Sequence, residues 1–462
     1  MFYKKYIPLL LSILTLLNCS KNETSPLELE TEEQLEPKPE EPIEPASEVY
    51  FTFNVANNLQ TDKSDDWIIL HDDSGNLLDF KPFEVGNSQV FKALETYLTE
   101  KITITILKFD SYSNQFGSGE RYTLETFPDV EKGSHWNYKP IGIPRRAVEK
   151  NGEFSVKVQN FPGIMLMSDN IHPLFGTPHV TTPIQFSLYS ASTNLTVDSG
   201  TRELELGTFP NYSGTEYLFS VWDKNDELKY QLFEAPEGED YITLNYDEFS
   251  PFDSQISLKL NPNKFNSFRL TGFDETQSFK NTDIGYFLMA FENTSQSDVP
   301  IGFLDRFNNY KTFYAVESSD ESYTYRFLKQ GKKPLAEDFI IPEKPSIVME
   351  NTTIYDFNFI VNQNYVRKTN EWSSTFTNLN SDNISIKWKV HSTQEKYPKM
   401  GEIPLEILNK YTNLTTSDLE MTLTHLYLKS DPYPKFLFKS FGPNEQEFDV
   451  DFEERAIVWK EE

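Results

Sequence analysis

A chain of 462 residues that sets 42 Lys+Arg against 71 Asp+Glu has a formal net charge of −29, which disfavours sequence-independent nucleic-acid binding because phosphate is repelled. Its 24 Tyr and 37 Phe supply enough apolar surface to exclude whole-chain disorder, and a single Cys excludes a disulfide-built scaffold. The length suggests roughly three domains.

The chain opens Met1-Phe2-Tyr3-Lys4-Lys5, and the 12 residues Tyr6 to Leu17 are almost wholly apolar. This is the pattern of a secretory signal, too short for a membrane-spanning helix, which needs about 20 residues. No later stretch is apolar enough to span either. The apolar run ends in Leu16-Leu17-Asn18-Cys19, which contains the only Cys. These four residues resemble a bacterial lipobox. The resemblance implies that Cys19 is lipidated, with palmitate-type chains, and becomes the mature N-terminus. Asn18 departs from the usual small residue, in a way tolerated among lipoproteins of the Bacteroidota. Acyl chains contribute about 0.8 kcal/mol per buried CH₂, so two or three of them hold a soluble body on a membrane. Ser20-Lys21-Asn22-Glu23 is similar to the short charged export signal of Bacteroidota surface lipoproteins, with Asn22 where an acid is usual. The expected location is the outer membrane, facing the cell exterior.

Residues 20–48 hold ten Glu, two Lys and five Pro, a net charge of −8 without apolar periodicity. Proline stiffness and like-charge repulsion make this a disordered, extended tether. Without that stretch, Lys4 and Lys5, residues 49–462 still carry −23. The body is acidic in its own right, which argues against contact with anionic lipid heads.

From Val49 onward the period is two. Val49 to Val55, Ile102 to Ile106, Phe154 to Val158, Ile256 to Leu260 and Ile384 to Val390 alternate apolar with polar residues. Alternation places one face on a core and one in water, as in antiparallel sandwiches. Asp73-Ser74-Gly75-Asn76, Asn225-Asp226 and Asn261-Pro262-Asn263 are turn signals. Short helices are expected only at Phe91–Leu98 and Leu405–Tyr411.

Ile68–Glu84 aligns without a gap on Leu218–Glu234, with Asp73/Asp223, Leu78/Leu228, Phe83/Phe233 and Glu84/Glu234 identical. Ile102-Thr103-Ile104 then falls against Ile256-Ser257-Leu258. A weaker copy is expected near Phe313–Phe327, and Ile354–Ile360 reads as an opening strand like that at Val49. The expectation is an all-β chain of tandem antiparallel sandwich-like modules at 49–198, 199–350 and 351–462, the second a repeat of the first. Lipobox, acidic tether and β modules together resemble surface lipoproteins of Flavobacterium-like bacteria, a resemblance that brings no catalytic residues with it.

Chemistry is sparse. There is no HExxH, no Gly-x-Ser-x-Gly elbow and no phosphate-binding Gly loop. Asp169, His172 and His179 lie close in sequence but read as polar loop residues, and no metal or cofactor is expected. Asp72, Asp73 and Asp79 offer oxygens of the kind Ca²⁺ takes, without EF-hand spacing. Trp136 and Tyr138, in a polar stretch, are the candidate ligand-binding residues, since sugars bind flat aromatic faces flanked by polar groups. Trp388, on a strand, reads as core. The expected function is non-enzymatic binding or scaffolding at the cell surface, with a glycan or a surface protein as partner, the membrane reached through lipid, and no nucleic acid. The competing expectation is a displayed carbohydrate-active hydrolase, which requires two carboxylates converging about 5–9.5 Å apart.

Overall fold

A computed structural model describes residues 47–56, 65–94, 99–115, 117–138, 150–162, 179–181, 203–212, 214–223, 225–235, 241–259, 266–273, 285–292, 297–318, 320–335, 339, 341–342, 345–394, 397–442 and 451–460. Ala46–Glu462 forms one compact unit. Among the described residues the architecture is all-β, with several antiparallel sheets and no closed barrel.

The strands fall into four successive runs. The first holds β1 (Ser47–Val55), β2 (Trp67–Asp72), β3 (Leu77–Pro82), β4 (Ser88–Leu94), β5 (Lys101–Asn114), β6 (Gly117–Glu131) and β7 (Ser134–Tyr138). The second holds β8 (Lys150–Gln159), β9 (His179–Thr181), β10 (Leu204–Tyr212), β11 (Glu216–Trp222), β12 (Leu228–Glu234) and β13 (Tyr241–Asn245), with the two-residue β14 (Ser250–Pro251) paired to β12. The third holds β15 (Ser254–Lys259), β16 (Asn266–Phe273), β17 (Tyr286–Glu292), β18 (Asp298–Phe303), β19 (Asn309–Glu317) and β20 (Tyr323–Gly331). The fourth holds β21 (Ile347–Asn351), β22 (Asn358–Val361), β23 (Arg367–Thr377), β24 (Asn383–Thr393), α1 (Leu405–Lys410), β25 (Glu420–Lys429), α2 (Tyr433–Phe441) and β26 (Phe452–Lys460).

One pairing plan recurs. In the first run β1 pairs antiparallel with β4 and parallel with β7, while β3-β2-β5-β6 forms the facing layer. In the second, β8 pairs antiparallel with β10 and parallel with β13. In the third, β15 pairs antiparallel with β18 opposite β17-β16-β19-β20, and the fourth contributes β24-β23-β25-β26 in the same order. Three of these four-stranded layers join edge to edge through β20–β26 and β24–β6, giving one twelve-stranded sheet. Strands from all three sequence segments, 49–198, 199–350 and 351–462, lie in it.

The β24–β6 joint is parallel and links residues more than 250 apart in sequence. Gly119 is required there, because a Cβ would stand 2.3 Å from the Asn383 carbonyl oxygen. Trp388 Nε1 donates to Thr126 Oγ1 at 2.8 Å and Ser118 Oγ donates to Asp382 Oδ1 at 2.5 Å, both across the joint.

Period two places Phe154, Val156 and Val158, and Ile384, Ile386, Trp388 and Val390, in cores. Each such side chain contributes about 1.5–3 kcal/mol by leaving water. Two strands break alternation because both faces are covered. In β2, Ile68 and Leu70 face the first-run core, while Ile69 joins the fourth-run core. In β11, Tyr217, Phe219 and Val221 face one core, and Leu218 and Trp222 the other.

Three expectations are corrected. Phe91–Leu94 ends β4 rather than opening a helix, with Phe91 fully buried against Tyr50 and Phe51. Ile354–Ile360 is not one strand: Asp356 N donates to Thr353 O in a turn, and β22 starts at Asn358. The residue match between the two hairpins shifts by one. Asp72, not Asp73, opens the β2–β3 turn as Asp223 opens β11–β12. These hairpins also occupy different places in the pairing plan, second–third strands in one run and fourth–fifth in the other. Their likeness is turn chemistry, a carboxylate bonding the backbone ahead. The same turn recurs with Asn378 before β24; in the β19–β20 hairpin, at the weaker copy, a turn one residue longer has Ser318 Oγ accepting from Tyr323 N. Leu405–Lys410 is helical, as expected.

Candidate functional site

Trp136 lies in β7 and is 5% exposed. One face is stacked on Phe441, and Phe51 and Phe127 meet it edge-on at 5.6 Å. Its flat surface is therefore spent on packing. Tyr138, half-buried at the end of β7, packs on Phe53 and Phe83, with Lys108 Nζ 5.1 Å from its ring centroid. Trp372 and Trp388 are core residues whose indole N–H groups find Thr352 O and Thr126 Oγ1. Cys19, the lipobox-like Leu16–Cys19, residues 20–46 of the expected tether, Asp169, His172 and the 261–263 turn lie outside the described residues; Ser47 and Glu48, placed at the end of the tether, instead open β1, and His179 is described as backbone in β9.

The Asp72 carboxylate is occupied by its own turn. Oδ1 accepts from Ser74 N at 2.9 Å and Asn76 N at 2.8 Å, and Oδ2 accepts from the Asn76 amide at 2.8 Å. Asp79 accepts from Phe80 N. Among the described residues no group of three or more His, Cys, Asp or Glu is arranged to hold a metal ion.

The densest chemistry sits elsewhere, at the start of β23. Arg367, Lys368, Thr369, Asn370 and Glu371 are consecutive, polar and buried, the last four leading straight into buried Trp372. Buried polar groups on this scale are costly unless bonded. Register supplies the partners. Thr369 stands between His391 on β24 and His425 on β25, and Glu371 between Lys389 and Leu423. Glu125 on β6 pairs with Lys389 across the parallel joint.

Thr369 Oγ1 and His391 Nδ1 are 2.9 Å apart, and His391 Nε2 and Glu125 Oε1 are 2.8 Å apart. Burial holds His391 below the ordinary imidazole range; Arg367 and Lys389 push the same way, against the Glu125 bond. For Glu125, burial alone would raise the carboxyl, but the His391 bond and the charges of His391, Lys108 and Lys389 hold it low. A neutral imidazole beside an ionised carboxylate fixes the proton pattern. Nε2–H donates to Glu125, so Nδ1 accepts from the Thr369 hydroxyl. His425 is pushed down to about 4 by burial and by Arg326, Lys389, His391 and Arg367.

Helix α2 closes this region. Tyr433, Leu437 and Phe441 recur at helical spacing on its buried face. Tyr433 OH donates to Pro128 O at 2.9 Å, and Phe436 lies 5.2 Å from the His391 ring. The Arg367 guanidinium is 3.4 Å from the Tyr427 centroid and 4.4 Å from that of Phe436, and it bonds Glu454 Oε2 at 2.8 Å. On the other face Lys368 is 5% exposed, near the rings of Phe359 and Tyr365. Burial lowers its ammonium to about 8.

The Thr–His–Glu line has the residue types of a nucleophile relay. Its hydroxyl bonds Nδ1 and its carboxylate Nε2, and Thr369 is 5% exposed, so the line fastens the first run to the fourth. Sequence reasoning passed over Arg367–Glu371 because five successive polar residues show no period. The available signal was their position directly before Trp372 in a stretch of strand length. In comparisons with known proteins, the chain matches no family model and no curated sequence significantly.

Proposed function

We propose that this chain is a surface lipoprotein of the Bacteroidota type, anchored by acylated Cys19 in the outer membrane and facing the cell exterior. Its folded part serves as a non-enzymatic binding or scaffolding body. The lipobox Leu16–Cys19, the export-like Ser20–Glu23 and the acidic tether support the anchoring. One observation carries the scaffolding reading: the Thr369–His391–Glu125 line and the Arg367–Glu454 pair are spent on fixing β23 to β24, β24 to β6 and, across β25, β23 to β26. Groups arranged that way confer rigidity.

Attachment to a surface protein is favoured over polysaccharide capture, because the aromatic face of Trp136 is covered by Phe441. In the producing cell, Cys19→Ala is expected to move the protein from the membrane to the soluble fraction, while the wild type is cleaved by protease added to intact cells. Retention of Cys19→Ala in the membrane overturns the anchoring. Turnover of a glycan panel by the purified protein overturns the non-enzymatic reading in favour of a displayed hydrolase.

A further inference from the structure

The joint of β6 with β24 gathers buried titratable groups that rigid attachment alone does not require. Packed around His391 are Thr369 and Arg367 of β23, Lys389 of its own strand, His425 of β25, Glu125 and Phe127 of β6, and Phe436 of α2. Lys108 of β5 lies near Glu125. The imidazole is stacked on Phe127, with centroids 4.7 Å apart and planes 13° from parallel. We propose that this joint is an acid-sensitive hinge, in which proton uptake at His391 Nδ1 releases α2 and the first run from the fourth.

The reasoning is geometric. Nδ1 is the one ring nitrogen able to take a proton, and it already accepts from Thr369. A proton there sets two donors against each other, so the hydroxyl must turn away. The new positive charge lies among Arg367, itself paired with Glu454, and Lys389, itself 4.0 Å from Glu371, with His425 and Arg326 beyond them; Glu125 is the carboxylate bonded to the ring. Burial penalises the charge further. Phe436 rests on this imidazole and Phe441 on Trp136, so displacement of the ring is passed to the helix that spans both runs. The sign follows from linkage: His391, His425 and Glu125 all bind protons more readily when released, so acid favours opening.

Hydrogen exchange on the full-length protein tests this, comparing about pH 7.5 with about pH 5 after correction for intrinsic rates. Peptides covering 433–441 and 384–393 are expected to exchange at least about tenfold faster at the lower pH, while β8–β13 stays protected. In His391→Gln, whose amide still donates to Glu125 but takes no proton, the change is expected to shrink to the share that His425 contributes. In Thr369→Val, which removes the donor to Nδ1, the transition is expected to move to higher pH. Unchanged exchange in the wild type, or the same change in His391→Gln, overturns the hinge. So does a change abolished by His425→Gln while His391→Gln leaves it intact. If His391→Gln does not fold, an unshifted transition in Thr369→Val overturns it. The hinge concerns the folded body alone, so its failure leaves the lipid anchor untouched.

Discussion

Trp136 lies flat on Phe441, ring centroids 3.9 Å apart and planes 2° from parallel. One residue belongs to β7 in the first run and the other to the last turn of α2 in the fourth. The contact seals the end of a core that also holds Tyr433 and Leu437. Truncating a buried Phe to Ala costs about 3–5 kcal/mol. Phe441→Ala is therefore expected to lower the denaturation midpoint and to expose Trp136, read as a red shift in its emission against a Trp136→Phe control. A Trp136 that served as a sugar platform would give the opposite pattern: Trp136→Ala would lose glycan affinity at unchanged stability.

Lys368 gives a pH signature of its own. Burial lowers its ammonium from 10.5 to about 8, so the unfolded chain binds its proton more tightly than the folded one. Stability is expected to rise with pH between about 8 and about 10.5, where the unfolded state alone still holds the proton. Below that window the folded protein carries the full penalty, up to about 3 kcal/mol. Lys368→Met is expected to remove the alkaline rise and to stabilise the protein at neutral pH, as measured by urea denaturation across the pH range. A parallel shift with the slope retained would assign the rise to another group.

The hairpin turns rank by how much each opening residue holds. Asp72 and Asn378 each accept from two backbone N–H groups ahead of them, whereas Asp223 also accepts from Tyr246 OH at 2.7 Å in a buried setting. Substituting Ala at Asp72 or Asn378 is expected to cost about 1–2 kcal/mol, and at Asp223 more, because the Tyr246 hydroxyl loses its buried acceptor. In each turn the residue three beyond is left-handed: Gly75, Asp226, Ser381 and, after Ser318, Glu321. Ser381→Gly is expected to offset part of the Asn378→Ala loss in thermal denaturation by removing backbone strain.

Much of the fold was legible where one face is wet. Ile102, Ile104 and Ile106, and Ile384 to Val390, alternate in sequence and in burial. Legibility fails where a second layer covers the other face, as in β2 and β11, or where a bulge resets the register. The bulge at Tyr50 buries both Tyr50 and Phe51 and leaves Val49 exposed, which the alternation at 49–55 did not foretell. Helix α2 was hidden because Pro432 and Pro434 read as breakers, although Pro is tolerated in a first helical turn. The polar joint was invisible for a different reason: Glu125 reaches the Thr369–His391 pair only through the parallel pairing of the first run with the fourth, and no local pattern encodes a partner so distant in sequence.

The proposed anchoring rests on the sulfur of Cys19. Mass spectrometry of the N-terminal peptide from the mature, membrane-extracted protein is the most direct test. The account predicts a chain beginning at Cys19 and heavier by a diacylglycerol group with palmitate-length chains. A mature chain with an unmodified Cys19 thiol, or one beginning after Cys19, would contradict it.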